Sequence, residues 1–206
     1  MDFFTQTFTE LDDYNRLCEA VDNEEVPVCV TGLSLVHKAQ LALTLSTRNT
    51  PALLLITGTE AEALRLVSDI NAMSGETTAM HFPAKEMTFL PVESKSAEYE
   101  HERLHVLSAV CRNEIRIVAA SAEAVMQPTI PLELLRTSHI LLEQGGTTDL
   151  NELTQQLIHS GYVRCETVEG QGQFAVRGSI VDVFPVQLTA PVRMELWGDE
   201  IDTLTY

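Results

Sequence analysis

Ala52-Leu53-Leu54-Leu55-Ile56-Thr57-Gly58-Thr59-Glu60-Ala61-Glu62 decides the fold class, because a short apolar run here turns directly into the start of a helix. Residues 52–56 are continuously apolar and run into the β-branched Thr57, the pattern of a buried strand over 52–57. Thr59, followed three residues later by Glu62, has the form of a capping box, in which each side chain satisfies a backbone N–H left free at a helix start. Ala63, Leu66, Val67, Ile70 and Met73 then recur at helical spacing until Gly75 stops the helix. Thr78 to Phe82 reads as the next strand, and strand, helix, strand with short joints calls for a parallel sheet of βα units.

The alternation extends outward in both directions. Upstream, Val26-Pro27-Val28-Cys29-Val30 reads as a strand and Leu35 to Thr47 as a helix. Downstream come a Pro-bounded loop from Pro83 to Glu93, a helix from about Ala97 to Cys111 and a buried strand from Ile115 to Ala120; Ile140-Leu141-Leu142 closes the series. After Gln144-Gly145-Gly146 the character changes. Asp149-x-x-Glu152 caps a helix that ends at Ser160-Gly161, and strand-like alternation follows over 162–168, 174–177, 180–184 and 192–197, with a tight turn at Gly198-Asp199. The expected organisation is therefore a first domain over 1–144 and a second, smaller α+β domain over 145–206. Since Leu204-Thr205-Tyr206 is still strand-like, the second domain is expected to be truncated from a longer chain.

Composition narrows the function. With 45% hydrophobic residues in 206, the chain can bury a sizeable core. It contains no apolar run of the ~18 residues a membrane span needs, and no basic stretch with an apolar h-region at Met1. The cysteines Cys18, Cys29, Cys111 and Cys165 form no C-x-x-C pair, as expected of reduced thiols in the cytoplasm. Thirteen Lys and Arg against thirty Asp and Glu give a net charge of −17, which opposes approach to a phosphate backbone and points to a protein partner.

Two motifs suggest chemistry. Thr31-Gly32-Leu33-Ser34-Leu35-Val36-His37-Lys38-Ala39, between a strand and a helix, has the spacing of a phosphate loop, G-x-x-x-x-G-K-[ST]. Gly32 and Lys38 are in place. His37 stands where a glycine should let amides close on phosphate, and Ala39 where a hydroxyl should hold magnesium. The stretch is a degenerate phosphate loop or an ordinary strand-to-helix turn. His101-Glu102-Arg103-Leu104-His105 matches H-E-x-x-H, which on a helix could bind zinc. Its charged surroundings, without a third ligand at a recognisable spacing, read instead as an amphipathic helix packing Leu104, Leu107 and Cys111 inward. No metal site, catalytic triad or dinucleotide fingerprint is expected.

The most distinctive stretches are Gly172-Gln173-Phe174-Ala175-Val176-Arg177-Gly178-Ser179-Ile180-Val181-Asp182-Val183-Phe184-Pro185 and Pro191-Val192-Arg193-Met194-Glu195-Leu196-Trp197-Gly198-Asp199-Glu200-Ile201-Asp202. Read from the residues alone, they are two strands joined at Gly178 and a third strand ending in the Gly198 turn. Arg177 falls on the opposite strand face from Phe174 and Val176 and is expected to face solvent; Phe184, at a strand end before Pro185, suits either a core or a contact.

Both stretches resemble segments of UvrB and of the transcription-repair coupling factor (Mfd) family. The second family is the better match, because its decayed loop G-L-S-x-x-x-K-A is reproduced by Gly32-Leu33-Ser34 and Lys38-Ala39. Pro83-Ala84-Lys85-Glu86, Glu98 to Leu104 and Ala120 to Ala124 are similar as well. The resemblance implies a P-loop NTPase-like, helicase-type parallel sheet over 1–144, followed by a domain that docks onto UvrA, here with Arg177, Phe184 and Arg164 at the positions matching contact residues. It implies no catalysis and no cofactor in this stretch. ATP, magnesium, RNA polymerase and duplex DNA would belong to motor and polymerase-binding parts of a full-length protein, with intramolecular contacts to this region. The alternative is an active, UvrB-like, ATP-dependent enzyme that binds damaged DNA.

Overall fold

The computed structural model describes residues 3–48, 52–85, 98–137 and 140–206. The chain divides into two compact units, one of Met1–Ser94 with Ala109–Pro128, the other of Lys95–Ser108 with Thr129–Tyr206. In the first, helices α1 (Phe3–Thr9) and α2 (Asp12–Asp22) lead into α3 (Leu35–Ser46), β1 (Leu53–Thr57), α4 (Glu60–Ser74) and β2 (Ala79–Phe82). Helix α5 (Glu98–Cys111) belongs mostly to the second unit; β3 (Ile117–Ser121) and α6 (Ala122–Met126) return to the first. The strands are parallel in the order β1-β3-β2, with Leu53 and Ala79 both level with Ile117.

The local signals around α4 work as written in the sequence. Thr59 Oγ1 accepts from the Glu62 amide at 3.2 Å, and Gly75 ends the helix at φ +73°. Ala39, Ala42 and Leu43 of α3 pack with Leu66 and Ile70 of α4 over Ala79 and Ile117. Asn71 ties α4 to β2: its amide oxygen accepts from Thr78 N at 3.0 Å and Ala79 N at 2.9 Å, and its amide nitrogen donates to Ala79 O at 3.0 Å.

Three expectations need correction. Residues 25–34 form no strand, and Val26, Val28 and Val30 are exposed; Pro27 removes a ladder donor from that segment. The strand that should carry a phosphate loop is thus not part of this sheet. Strand β1 is not buried on both faces either, because it ends the sheet order and leaves Leu54 and Ile56 exposed. Ile140-Leu141-Leu142 is not a strand: Ile140 and Leu142 turn into the core of the second unit while Leu141 points outward. The loop expected from Pro83 to Glu93 lies outside the described residues from 86 onward.

The second unit contains α7 (Leu132–Thr137), α8 (Leu150–His159) and the strands β4 (Val163–Arg164), β5 (Gln173–Arg177), β6 (Ile180–Phe184), β7 (Val192–Trp197) and β8 (Glu200–Thr205). They form one sheet in sequence order, β4 parallel to β5 and the others antiparallel. Asp149 caps α8 by accepting from Asn151 N and Glu152 N at 2.8 and 2.9 Å. Leu153 and Leu157 of this helix then cover Phe174, Val181, Met194, Leu196 and Ile201 on one sheet face. The sheet of the first unit and this one together make a mixed α/β chain, as the alternation predicts.

Gly172 is fixed by two independent constraints. Its φ is +76°, and a Cβ there would stand 2.9 Å from the His101 ring. That packing gives His101 a structural role, and among the described residues no three His, Cys, Asp or Glu side chains gather as metal ligands would. Gly172→Ala is expected to destabilise by about 1–2 kcal/mol from the left-handed backbone alone, with the ring displacement added, and so to lower the melting temperature by roughly 5–10 °C. Gly178→Ala, where φ is +65° but no atom lies within 4 Å, should cost less. Equal shifts in the two variants would show that the His101 contact is immaterial.

Candidate functional site

Strand alternation in the second unit sorts its residues onto two faces. Phe174, Val176, Val181, Val183, Met194 and Leu196 turn toward α8 and the core. Ala175 and Arg177 of β5, Ile180, Asp182 and Phe184 of β6, and Arg193, Glu195 and Trp197 of β7 turn the other way. Register then decides which of these meet. Arg177 is level with Ile180, and Asp182 is level with Arg193, so one carboxylate lies between two guanidinium groups. Asp182 Oδ2 accepts from Arg177 Nη2 at 2.5 Å, while Arg193 holds both oxygens, Nε to Oδ1 at 2.7 Å and Nη2 to Oδ2 at 3.0 Å.

Exposure is uneven within this triad. The Asp182 side chain is 10% exposed, against 54% for Arg177 and 51% for Arg193. A molecule approaching this face therefore meets two cations whose counter-charge lies beneath them. The planar guanidinium forks keep unused donors on the outer side, a geometry suited to carboxylates. Hydrogen bonds from Arg193 and then Arg177 hold the Asp182 carboxyl below the usual carboxylate range, against the opposing effect of its burial. A carboxyl depressed in the folded state stabilises above its unfolded pKa near 3.8, and that stabilisation is lost as pH falls through the lower folded value. Thermal melts should show a drop below about pH 4 that is shallower in Asp182→Asn; an unchanged acid limb in that variant would remove Asp182 from the account.

Arg177 and Phe184 share this outer face, Arg177 exposed and Phe184 half-buried at the end of β6. Arg164 is apart from them. It is level with Phe174 across the β4–β5 pair, on the face that α8 covers, and is exposed at the sheet edge. The strand expected over 162–168 stops after Arg164, because Gln173 Oε1 accepts from Glu169 N and Gly170 N at 2.8 and 3.1 Å and closes that loop on itself.

At the loop resembling a phosphate site, Gly32 has φ +83°, and Ser34 caps α3, its Oγ accepting from His37 N at 3.5 Å and lying 3.1 Å from His37 Nδ1. Lys38 is exposed, but Ala39 is 0% exposed and belongs to the core between α3 and α4. The position that would need a metal-binding hydroxyl points inward.

Sequence reasoning missed the parts of the site that depend on register. Asp182 and Arg193 each read as ordinary strand residues, and only the β6–β7 pairing brings them together. Trp197 carried a signal, the alternation Arg193-x-Glu195-x-Trp197, that places it on the face of the arginines; it is 83% exposed.

Residues 140–206 match the family model of the UvrB interaction domain. The transcription-repair-coupling factor of Bacillus subtilis (strain 168) is 26% identical over 200 residues, 97% of this chain and 17% of the relative. That of Staphylococcus haemolyticus (strain JCSC1435) is 28% identical over 177 residues, 86% of this chain and 15% of the relative. The chain thus spans about one sixth of the length of the curated relatives it matches. No helix among the described residues is long and apolar enough to cross a membrane. Residues 140–206 are similar to the UvrB interaction domain, on a chain that is similar to transcription-repair-coupling factors over nearly its whole length.

Proposed function

We propose that this chain is a non-catalytic recruitment module of a transcription-repair coupling factor, which binds UvrA through the outer face of β5–β7 and so brings excision repair to stalled RNA polymerase. Arg177 and Phe184 lie in the contact; Arg164, on β4 and on the opposite face of the sheet, has a peripheral part. The observation that carries this reading is the Arg177–Asp182–Arg193 triad, which presents two half-exposed, fixed guanidinium groups on an otherwise strongly acidic chain. Fixed Arg groups with an adjoining aromatic are the residue types that dominate binding hot spots. Nucleotide is assigned no role in this contact; Ala39, buried where a phosphate loop has its metal-binding hydroxyl, supports that reading. ATP, magnesium and duplex DNA are assigned to other parts of the cytoplasmic parent protein. A pull-down of this chain with UvrA, with and without nucleotide, tests the reading. Capture that is unaffected by nucleotide is expected, and no capture under either condition would overturn it.

A further inference from the structure

Trp197 is the least expected residue on the outer face of β7. It is the only tryptophan of the chain and is 83% exposed, although burying an aromatic of this size is among the larger apolar contributions available to a protein. Its position is fixed. Gly198, at φ +64°, turns β7 into β8, with Trp197 level with Glu200. The far side of the turn is tied down: Thr148 N donates to Asp199 O at 2.7 Å, and Thr147 forms a bridge with Glu200. A large apolar side chain held in water on a rigid hairpin has little left to lose in conformational freedom when a partner covers it.

We propose that Trp197 is the apolar anchor of the UvrA-binding face and a determinant of its specificity. The inference rests on the UvrA reading above and adds the chemistry of the partner surface. Four residues along β7 place Trp197 roughly 13 Å from Arg193. A fitting partner surface therefore carries carboxylates opposite Arg193 and Arg177 and, at that distance, an apolar recess for the indole. Glu195, exposed between them, disfavours a uniformly acidic surface and calls for a donor in the middle. Charge complementarity supplies register along the face, and the indole supplies the buried contact at one end.

Because there is one tryptophan, 5-fluorotryptophan incorporated into the chain gives a single 19F signal. On addition of UvrA this signal should shift and lose its sensitivity to exchange of H2O for D2O. Trp197→Ala should weaken UvrA capture tenfold or more and Trp197→Phe much less, with the melting temperature unchanged in both, since the side chain is almost fully exposed. If Arg177→Ala weakens capture but Trp197→Ala does not, and the 19F signal stays in place, the anchor is overturned while the UvrA reading stands. If UvrA is not captured by the wild-type chain at all, both fail.

Discussion

Removing both guanidinium groups, in Arg177→Ala/Arg193→Ala, is expected to lower the melting temperature of the second unit by about 10 °C or more, whereas Arg177→Ala alone shifts it by only a few degrees. The difference follows from the geometry. Without Arg177, Asp182 keeps a two-pronged bond from Arg193 to both oxygens, and the loss is that of a half-exposed ion pair, at most about 1 kcal/mol. Without either arginine, a carboxylate whose side chain is 10% exposed loses every charged partner that it has in the triad. Breaking a buried pair costs roughly 3–5 kcal/mol, while protonation caps the penalty at pH 7 near 4 kcal/mol for an ordinary aspartate. Water admitted by two shortened side chains reduces it further, to about 2–3 kcal/mol at Asp182. The variants lie in contact, so their effects should exceed the sum of the singles. Simple additivity in a double-mutant cycle would mean that Asp182 is hydrated and that the triad is not a unit.

Rebuilding the phosphate loop, in His37→Gly/Ala39→Thr, is expected to create no binding of Mg-ATP and to destabilise the first unit. Position 39 is fully buried between α3 and α4. Two more heavy atoms overpack it at a cost of about 1–3 kcal/mol. The new side chain would enter the α3–α4 core rather than face a phosphate. Calorimetric titration with Mg-ATP checks this, together with a thermal melt; micromolar binding by the variant or by the wild type would contradict it.

How far the sequence could be read depended on the range of the interactions concerned. Helix α4 was legible to its ends because Thr59 and Gly75 act within one turn of the residues they cap. The β5–β6 hairpin was legible for the same reason, with Gly178 at its turn. Val26 to Val30 had the alternation of a strand but not its outcome, since a strand also needs a partner edge, and no local signal reports whether β1 offers one. Ile140 and Leu142 were assigned to the wrong sheet because an apolar pair does not state which core it enters. At the candidate site, Arg177 and Phe184 were found through resemblance. Asp182 and Arg193, eleven residues apart in the chain, became a pair only through antiparallel register, and the parallel β4–β5 register sets Arg164 apart. The depth of Ala39 was likewise invisible in the motif, where only its missing hydroxyl could be seen.

Binding of UvrA by the arginine face is tested by the dissociation constant of UvrA for the wild-type chain, Arg177→Ala and Arg177→Lys, taken with each variant's melting temperature. Affinity is expected to be at least tenfold weaker for Arg177→Ala, worth about 1.4 kcal/mol or more. Arg177→Lys should fall between, because an ammonium keeps the charge but loses the planar fork. All three melting temperatures should lie within a few degrees of one another. Wild-type affinity in Arg177→Ala, or a loss of affinity that merely follows unfolding, would place UvrA binding elsewhere than on the arginine face.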